Sequence, residues 1–223
     1  MFSIRSAVLS AVAILAMSAG SAQAAVIFGT GNPGNAGTDN VIFNNCSGSL
    51  TQSGSSTVQG CLNSSRSTIV NFTSDENLVA SGGQALIQAA DGAFDNLDIY
   101  LDAAGTTFSK LILALNTDGS GVNADSGNII FTAFLSGGGT VTSSAFAISG
   151  NSNHFFYIEG NAGETFTKVS FASDIGVNAV LLDDVSQVRL GGVSSPVPGP
   201  AAIGLLGLGL LGLGLAARRR RAA

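Results

Sequence analysis

Apolar residues in the middle of this chain either alternate with polar ones or come in short runs, and no stretch sustains a long helical period. Leu97, Ile99 and Leu101 alternate with Asn96, Asp98, Tyr100 and Asp102, the period of a strand with one wet face. Residues 108–115 and 129–135 are apolar on both faces, as central strands are. Further β-prone runs cover residues 68–72, 84–89, 141–148, 154–159, 165–171, 176–182 and 185–190, with turn signals between them such as Gly82-Gly83 and Gly137-Gly138-Gly139. Val26-Ile27-Phe28 and Val41-Ile42-Phe43 predict two short strands, followed by a loop. Residues 74–80 suggest a brief helical turn, with Ser74 placed to cap it. The set amounts to roughly eight to eleven strands, and the expected fold is all-β: an antiparallel β-sandwich, jelly-roll-like.

The two ends follow different patterns. Arg5 opens a positive region, residues 7–17 are apolar, and Ala22-Gln23-Ala24 is a small-x-small site. That reads as a secretory signal peptide over residues 1–24, cleaved after Ala24 with Ala25 as the alternative, since the apolar stretch is too short to span a bilayer. At the other end, Pro196, Pro198 and Pro200 keep a short segment extended. An uncharged run of 17 residues, 201–217, follows it. As a helix it reaches about 25 Å, the short end of a transmembrane span. Arg218, Arg219, Arg220 and Arg221 form a basic stop in the tail 218–223, expected to stay cytoplasmic by the positive-inside rule. The domain plan is therefore an exported domain at 25–190, a linker and proline motif at 191–200, then the span and the tail. Gly191 to Ser195 reads as a flexible tether.

Val197-Pro198-Gly199-Pro200-Ala201, the Gly/Leu run and the four arginines together resemble the PEP-CTERM sorting signal of Gram-negative bacteria, in its Val-Pro-x-Pro-Ala form. Gly199 stands where the type motif has Glu. The resemblance implies a route: secretion translocon, transient or stable membrane anchoring, and processing by an exosortase-type enzyme. The end point is the cell surface or an exopolysaccharide matrix. The segments FFYIEG, GETFTKVSFAS and Asp183-Asp184-Val185 are loosely similar to the closing strands of jelly-roll domains in such proteins and in carbohydrate-binding modules. Independently of that likeness, Asp183 or Asp184 is expected to accept backbone amides at a strand junction.

Charge narrows the partners. All 14 acidic residues lie in the exported part, against four basic ones there: Arg66, Lys110, Lys168 and Arg189. An acidic domain argues against nucleic acid and anionic lipid, and leaves cations and neutral glycans. Cys46 and Cys61 are the two cysteines, and an exported pair predicts a disulfide.

Candidate chemistry is sparse. Asn116, Asp118 and Ser120 present oxygens at alternate positions ahead of Gly121, as in the first half of a calcium loop, with Asp125 near as a further ligand. Gly127 stands where the bidentate Glu belongs, so the expectation is either a weak extracellular-type calcium site or a plain polar hairpin loop. Asp91, Asp95, Asp98 and Asp102 form an acidic cluster around Tyr100. An aromatic flanked by carboxylates on a wet sheet face suits a sugar ring, although the chain has no tryptophan. His154 is the sole histidine, and no nucleophile elbow or paired ligand set accompanies it. Glu159 and Glu164 carry no sign of facing geometry. The expected function is a non-enzymatic surface or exopolysaccharide-associated protein without a cofactor. A carbohydrate- or calcium-binding module is the first alternative and a surface hydrolase the second.

Overall fold

The structure is a computed structural model of the 223-residue chain, and it describes residues 26–117, 126–150, 153–173 and 181–196. The signal peptide with Ala24, the motif from Val197 to Ala201, the apolar run and Arg218 to Arg221 lie outside the described residues. So do Asp118, Ser120 and Asp125. Among the described residues no helix is long and apolar enough to cross a membrane.

Thirteen strands make up the described chain: β1 (Val26–Thr30), β2 (Thr38–Ile42), β3 (Ser53–Leu62), β4 (Ile69–Ser81), β5 (Leu86–Ala89), β6 (Asn96–Leu101), β7 (Lys110–Thr117), β8 (Ser126–Leu135), β9 (Thr140–Thr142), β10 (Phe146–Ser149), β11 (His154–Gly160), β12 (Phe166–Ser173) and β13 (Leu182–Gly191). Hydrogen bonding runs β1-β11-β7-β13-β2-β3-β4-β6-β12-β8-β10, with β9 added on β8. β5 pairs with both β13 and β4, so β13, β2, β3, β4 and β5 close a ring. Every strand pairing is antiparallel.

The two arms of this sheet fold face to face. Phe131 on β8 and Phe156 on β11 belong to strands that are not neighbours, yet their ring centroids are 5.1 Å apart. Phe146 on β10 also meets Phe156, at 5.5 Å. Leu111, Leu113 and Leu115 from β7 join Leu97, Ile99 and Leu101 from β6 in the same buried cluster. The result is an all-β sandwich with a phenylalanine-rich interior. Each fully buried Phe contributes about 2 kcal/mol by leaving water.

Three expectations are corrected. The suggested helical turn at 74–80 is the second half of β4. Ser74 does accept the Glu76 amide through its hydroxyl, but Leu78, Val79 and Ala80 ladder onto β5, and those inter-strand bonds outcompete a lone cap. The Ser/Gly/Gln-rich stretch between the cysteines is largely the ten-residue strand β3 rather than a loop. Pairing with β4 along most of its length supplies what its weak β propensity does not. The tether at 191–195 is docked: Thr107 and Ser194 exchange backbone hydrogen bonds of 2.9 and 2.8 Å, and Val193 packs against the core. The expected strand at 176–182 lies mostly outside the described residues, with Leu182 opening β13. The Cys46–Cys61 disulfide is formed, with a sequence separation of 15.

Candidate functional site

The alternation read in β6 is real. Leu97, Ile99 and Leu101 are buried, whereas Asp98 and Tyr100 are half-exposed on the opposite face. Strand pairing extends that outer face across the sheet. One row runs Gln59, Asn71, Tyr100, Lys168 and Phe134, from β3 through β4, β6 and β12 to β8. The adjacent row runs Thr57, Thr73, Asp98, Ser170, Thr132 and Thr142, ending on β9. Tyr100 and Phe134 are thus two strand spacings apart, about 9.5 Å, with Lys168 between them.

The side chains hold one another in place. Gln59 donates from Nε2 to Asn71 Oδ1 at 2.9 Å, and Asn71 donates from Nδ2 to Asp102 Oδ1 at 3.0 Å. The hydroxyls of Thr57 and Thr73 are 2.8 Å apart, and that of Thr73 is 3.3 Å from the Tyr100 hydroxyl. Lys168 Nζ donates to Asp98 Oδ2 at 2.8 Å and sits 4.2 Å from the Phe134 ring centroid. This pairing sets one positive charge against one negative charge in the middle of the face. What remains is an array of hydroxyls, the Gln59 amide and two half-exposed rings, with the exposed Asp102 carboxylate at its edge and the Asn71 amide buried beneath it at 4% exposure. Such groups donate to and accept from hydroxyls while the rings offer flat apolar surface.

The opposite outer face is filled by its own side chains. Arg189 is 8% exposed, donates from Nε to Asn40 at 2.8 Å, and also bonds Asn35. Ile112 and Ala114 on the same face are fully buried. Tyr157 lies across Gly29, where an added Cβ would come 2.3 Å from its ring. That leaves the face of β3, β4, β6, β12 and β8 as the open one.

The other candidates fall in different places. The acidic cluster is split: Asp98 and Asp102 belong to the polar face, while Asp95 bonds Asn96 at the other end of β6, at 2.8 Å. Asp91 follows β5 on an exposed turn. His154 places Nε2 2.9 Å from the Ser149 carbonyl. Glu159 pairs with Lys110 at 3.4 Å. Asn116 donates from Nδ2 to Asp184 Oδ2 at 3.2 Å, so Asp184 takes a side-chain amide in addition to any main-chain partner. The Asn116 Oδ1 atom is buried with no hydrogen-bond partner. No cluster of three or more His, Cys, Asp or Glu side chains suited to a metal occurs among the described residues.

Sequence reasoning found Asp98, Tyr100 and Asp102 but missed Gln59, Asn71, Lys168 and Phe134. A signal existed for Lys168: with Ser170 it alternates against Val169 and Phe171, all within a run already read as a strand. Nothing local marks Phe134 as outward-facing, because residues 129–135 look apolar throughout.

No protein-family model matches the chain, and no curated protein matches it. Among solved structures it is similar to two variants of CBM29-2, examined for ligand recognition by family 29 carbohydrate binding modules. One is 14% identical with a TM-score of 0.34, covering 70% of this chain and 97% of that one. The other is 13% identical with a TM-score of 0.35, covering 79% and 99%.

Proposed function

We propose that this chain is an exported, non-enzymatic surface protein whose sandwich, jelly-roll-like in plan, binds neutral glycans on the face of β3, β4, β6, β12 and β8. The observation that carries the reading is the row Gln59–Asn71–Tyr100–Lys168–Phe134, in which two half-exposed rings flank a locally neutralised cation. Rings stack on the C–H faces of sugars, and the neighbouring Gln59 amide and the Asp98 and Asp102 carboxylates meet their hydroxyls. The acidic exported part repels polyanions, which favours uncharged polysaccharide. A glycan array probed with the purified protein tests this. Binding to neutral polysaccharides is the expected result, and a blank array removes the reading.

Export and sorting rest on the two ends of the sequence. The signal peptide, the Val197–Pro198–Gly199–Pro200–Ala201 motif, the apolar run and the arginines support delivery by the translocon and processing by an exosortase-type enzyme. Mass spectrometry of the mature protein is the check. The expected N-terminus is Ala25 and the expected C-terminus lies near the proline motif. An intact tail would reduce it to a plain anchor.

Calcium is a second reading with its own observation. The buried, unpartnered Oδ1 of Asn116 lies on a side chain already bonded to Asp184, and a hard cation takes such oxygens. With Asp118, Ser120 and Asp125 following in sequence, a weak site is proposed there. Calorimetry and a melting curve in millimolar calcium decide it: no heat and no shift ends the idea.

A further inference from the structure

The chain leaves β13 through a bend. Ser109 donates its amide to the Gly191 carbonyl at 2.9 Å, and Thr107 exchanges backbone bonds with Ser194. Between these two contacts the C-terminal side carries one residue more than its partner, as in a β-bulge. Gly192 makes the bend with a φ of 61°, and a Cβ there would lie 2.0 Å from the Ser109 hydroxyl oxygen. Glycine alone suits both the left-handed backbone and the space.

Beyond the bend the segment is held lightly. Thr107 and Ser194 form an isolated bridge outside the named strands. Val193 packs against the core but is only half-buried, and Ser194, Ser195 and Pro196 are exposed. Pro196 rests on Gly105, where an added Cβ would come 3.2 Å from its ring. Contacts this few, beside water, belong to the part of a fold that opens without global unfolding.

The apolar run opens at Ala201, five residues after Pro196. Five extended residues reach at most about 17 Å. With that run in a bilayer, the headgroup layer takes about 6 Å of the reach. The docked segment therefore keeps the proline motif close between the folded domain and the lipid surface. An enzyme that recognises an extended peptide contacts its backbone and alternate side chains, which needs clear chain on both sides of the motif. Undocking from Gly192 onward leaves ten residues between Gly191 and Ala201, a reach of about 35 Å.

We propose that residues 192–196 are a hinged latch that withholds the sorting motif at 197–201 from its processing enzyme while docked. Gly192 is the hinge, and the Thr107–Ser194 pair is the catch. The gating rests on the sorting reading above, whereas the opening of the latch does not.

Two variants push the latch in opposite directions. Residues that exchange both backbone bonds have Cα atoms about 5.5 Å apart, within disulfide range, so Thr107→Cys/Ser194→Cys locks it. Gly192→Ala opens it, because the new Cβ opposes the positive φ and meets Ser109. Pulse-chase of the full-length protein, in a host with an exosortase-type enzyme, follows loss of the tail by mass. The wild-type chain should lose the tail, the locked variant should keep it until a reductant is added, and Gly192→Ala should lose it sooner. Ser194→Pro, which deletes the amide donated to Thr107, should also lose it sooner and serves if the added cysteines fail to pair.

Hydrogen exchange on the purified full-length protein follows the latch without the enzyme. The Ser194 amide should exchange faster than the amides of β13, and faster still in Gly192→Ala. Equal tail loss in the locked and wild-type chains, or a Ser194 amide as slow as those of β13, overturns the latch. A wild-type tail that stays intact overturns the sorting reading and with it the gating, while fast exchange at Ser194 still upholds the hinge and catch.

Discussion

Lys168 meets two partners at once: its ammonium is 2.8 Å from the Asp98 carboxylate and 4.2 Å from the centroid of the Phe134 ring. The three residues come from three adjacent strands, β6, β12 and β8. The pairing fixes the ring and cancels the charge at the centre of the open face.

Removing the rings should therefore affect binding more than folding. Phe134→Ala and Tyr100→Ala are each expected to weaken polysaccharide binding about tenfold, the scale of a binding hot spot. Lys168→Ala should cost under about 1 kcal/mol of stability, because both partners of the ion pair are 30–35% exposed and screened by solvent. Affinity measurements alongside denaturant melts separate the two effects.

Two glycines should respond differently to alanine. A Cβ at Gly160 would sit 2.1 Å from the Glu164 carbonyl oxygen. Backbone cannot swing aside, so Gly160→Ala is expected to cost about 2–3 kcal/mol. At Gly29 the obstacle is the Tyr157 ring, which can rotate away, so Gly29→Ala should cost less. Urea titration of both variants gives the order, and equal losses would refute the distinction.

The disulfide should matter through the unfolded chain. Cys46 and Cys61 are 15 residues apart, a loop whose closure removes about 3 kcal/mol of unfolded-state entropy. The double variant Cys46→Ser/Cys61→Ser is expected to lose about that much. Ser47 keeps its backbone bond to Arg66, and the Arg66 side chain still holds the Asn44 carbonyl, so the loop should stay close to its present position. Chemical denaturation with and without reductant measures the loss.

Phe131 is the most connected ring in the core. It is 1% exposed and meets Phe146, Phe156 and Phe171. Phe131→Ala should cost about 3–5 kcal/mol, since it empties a site bounded by both arms of the sheet. A melting temperature close to that of the parent would show that the arms are not packed around it.

Local pattern read well wherever burial alternates. The alternation in residues 96–102 became β6 with the predicted faces, and the doubly apolar run near residue 112 became β7, between β11 and β13. The pattern misled where partners decide. β3 is a run of Ser, Gly, Thr and Gln with little propensity of its own, and β4 supplies its pairing. Ser194 looked like tether because nothing in a Gly-Val-Ser-Ser stretch announces a bridge to Thr107. The polar face was visible as Asp98 and Tyr100 but not as a row, because Gln59 and Phe134 lie 75 positions apart in the chain.

The sequence by itself determined an all-β chain, the wet face of β6 and an acidic middle, because alternation, composition and charge are local or summed properties. It also carries the reading of the two ends. Only the tertiary structure decided which side chains share the open face and that the opposite face is closed by Arg189 and its asparagine partners. Those facts depend on register between strands distant in sequence, and register is fixed by the whole sheet packing around its phenylalanines rather than by any one segment.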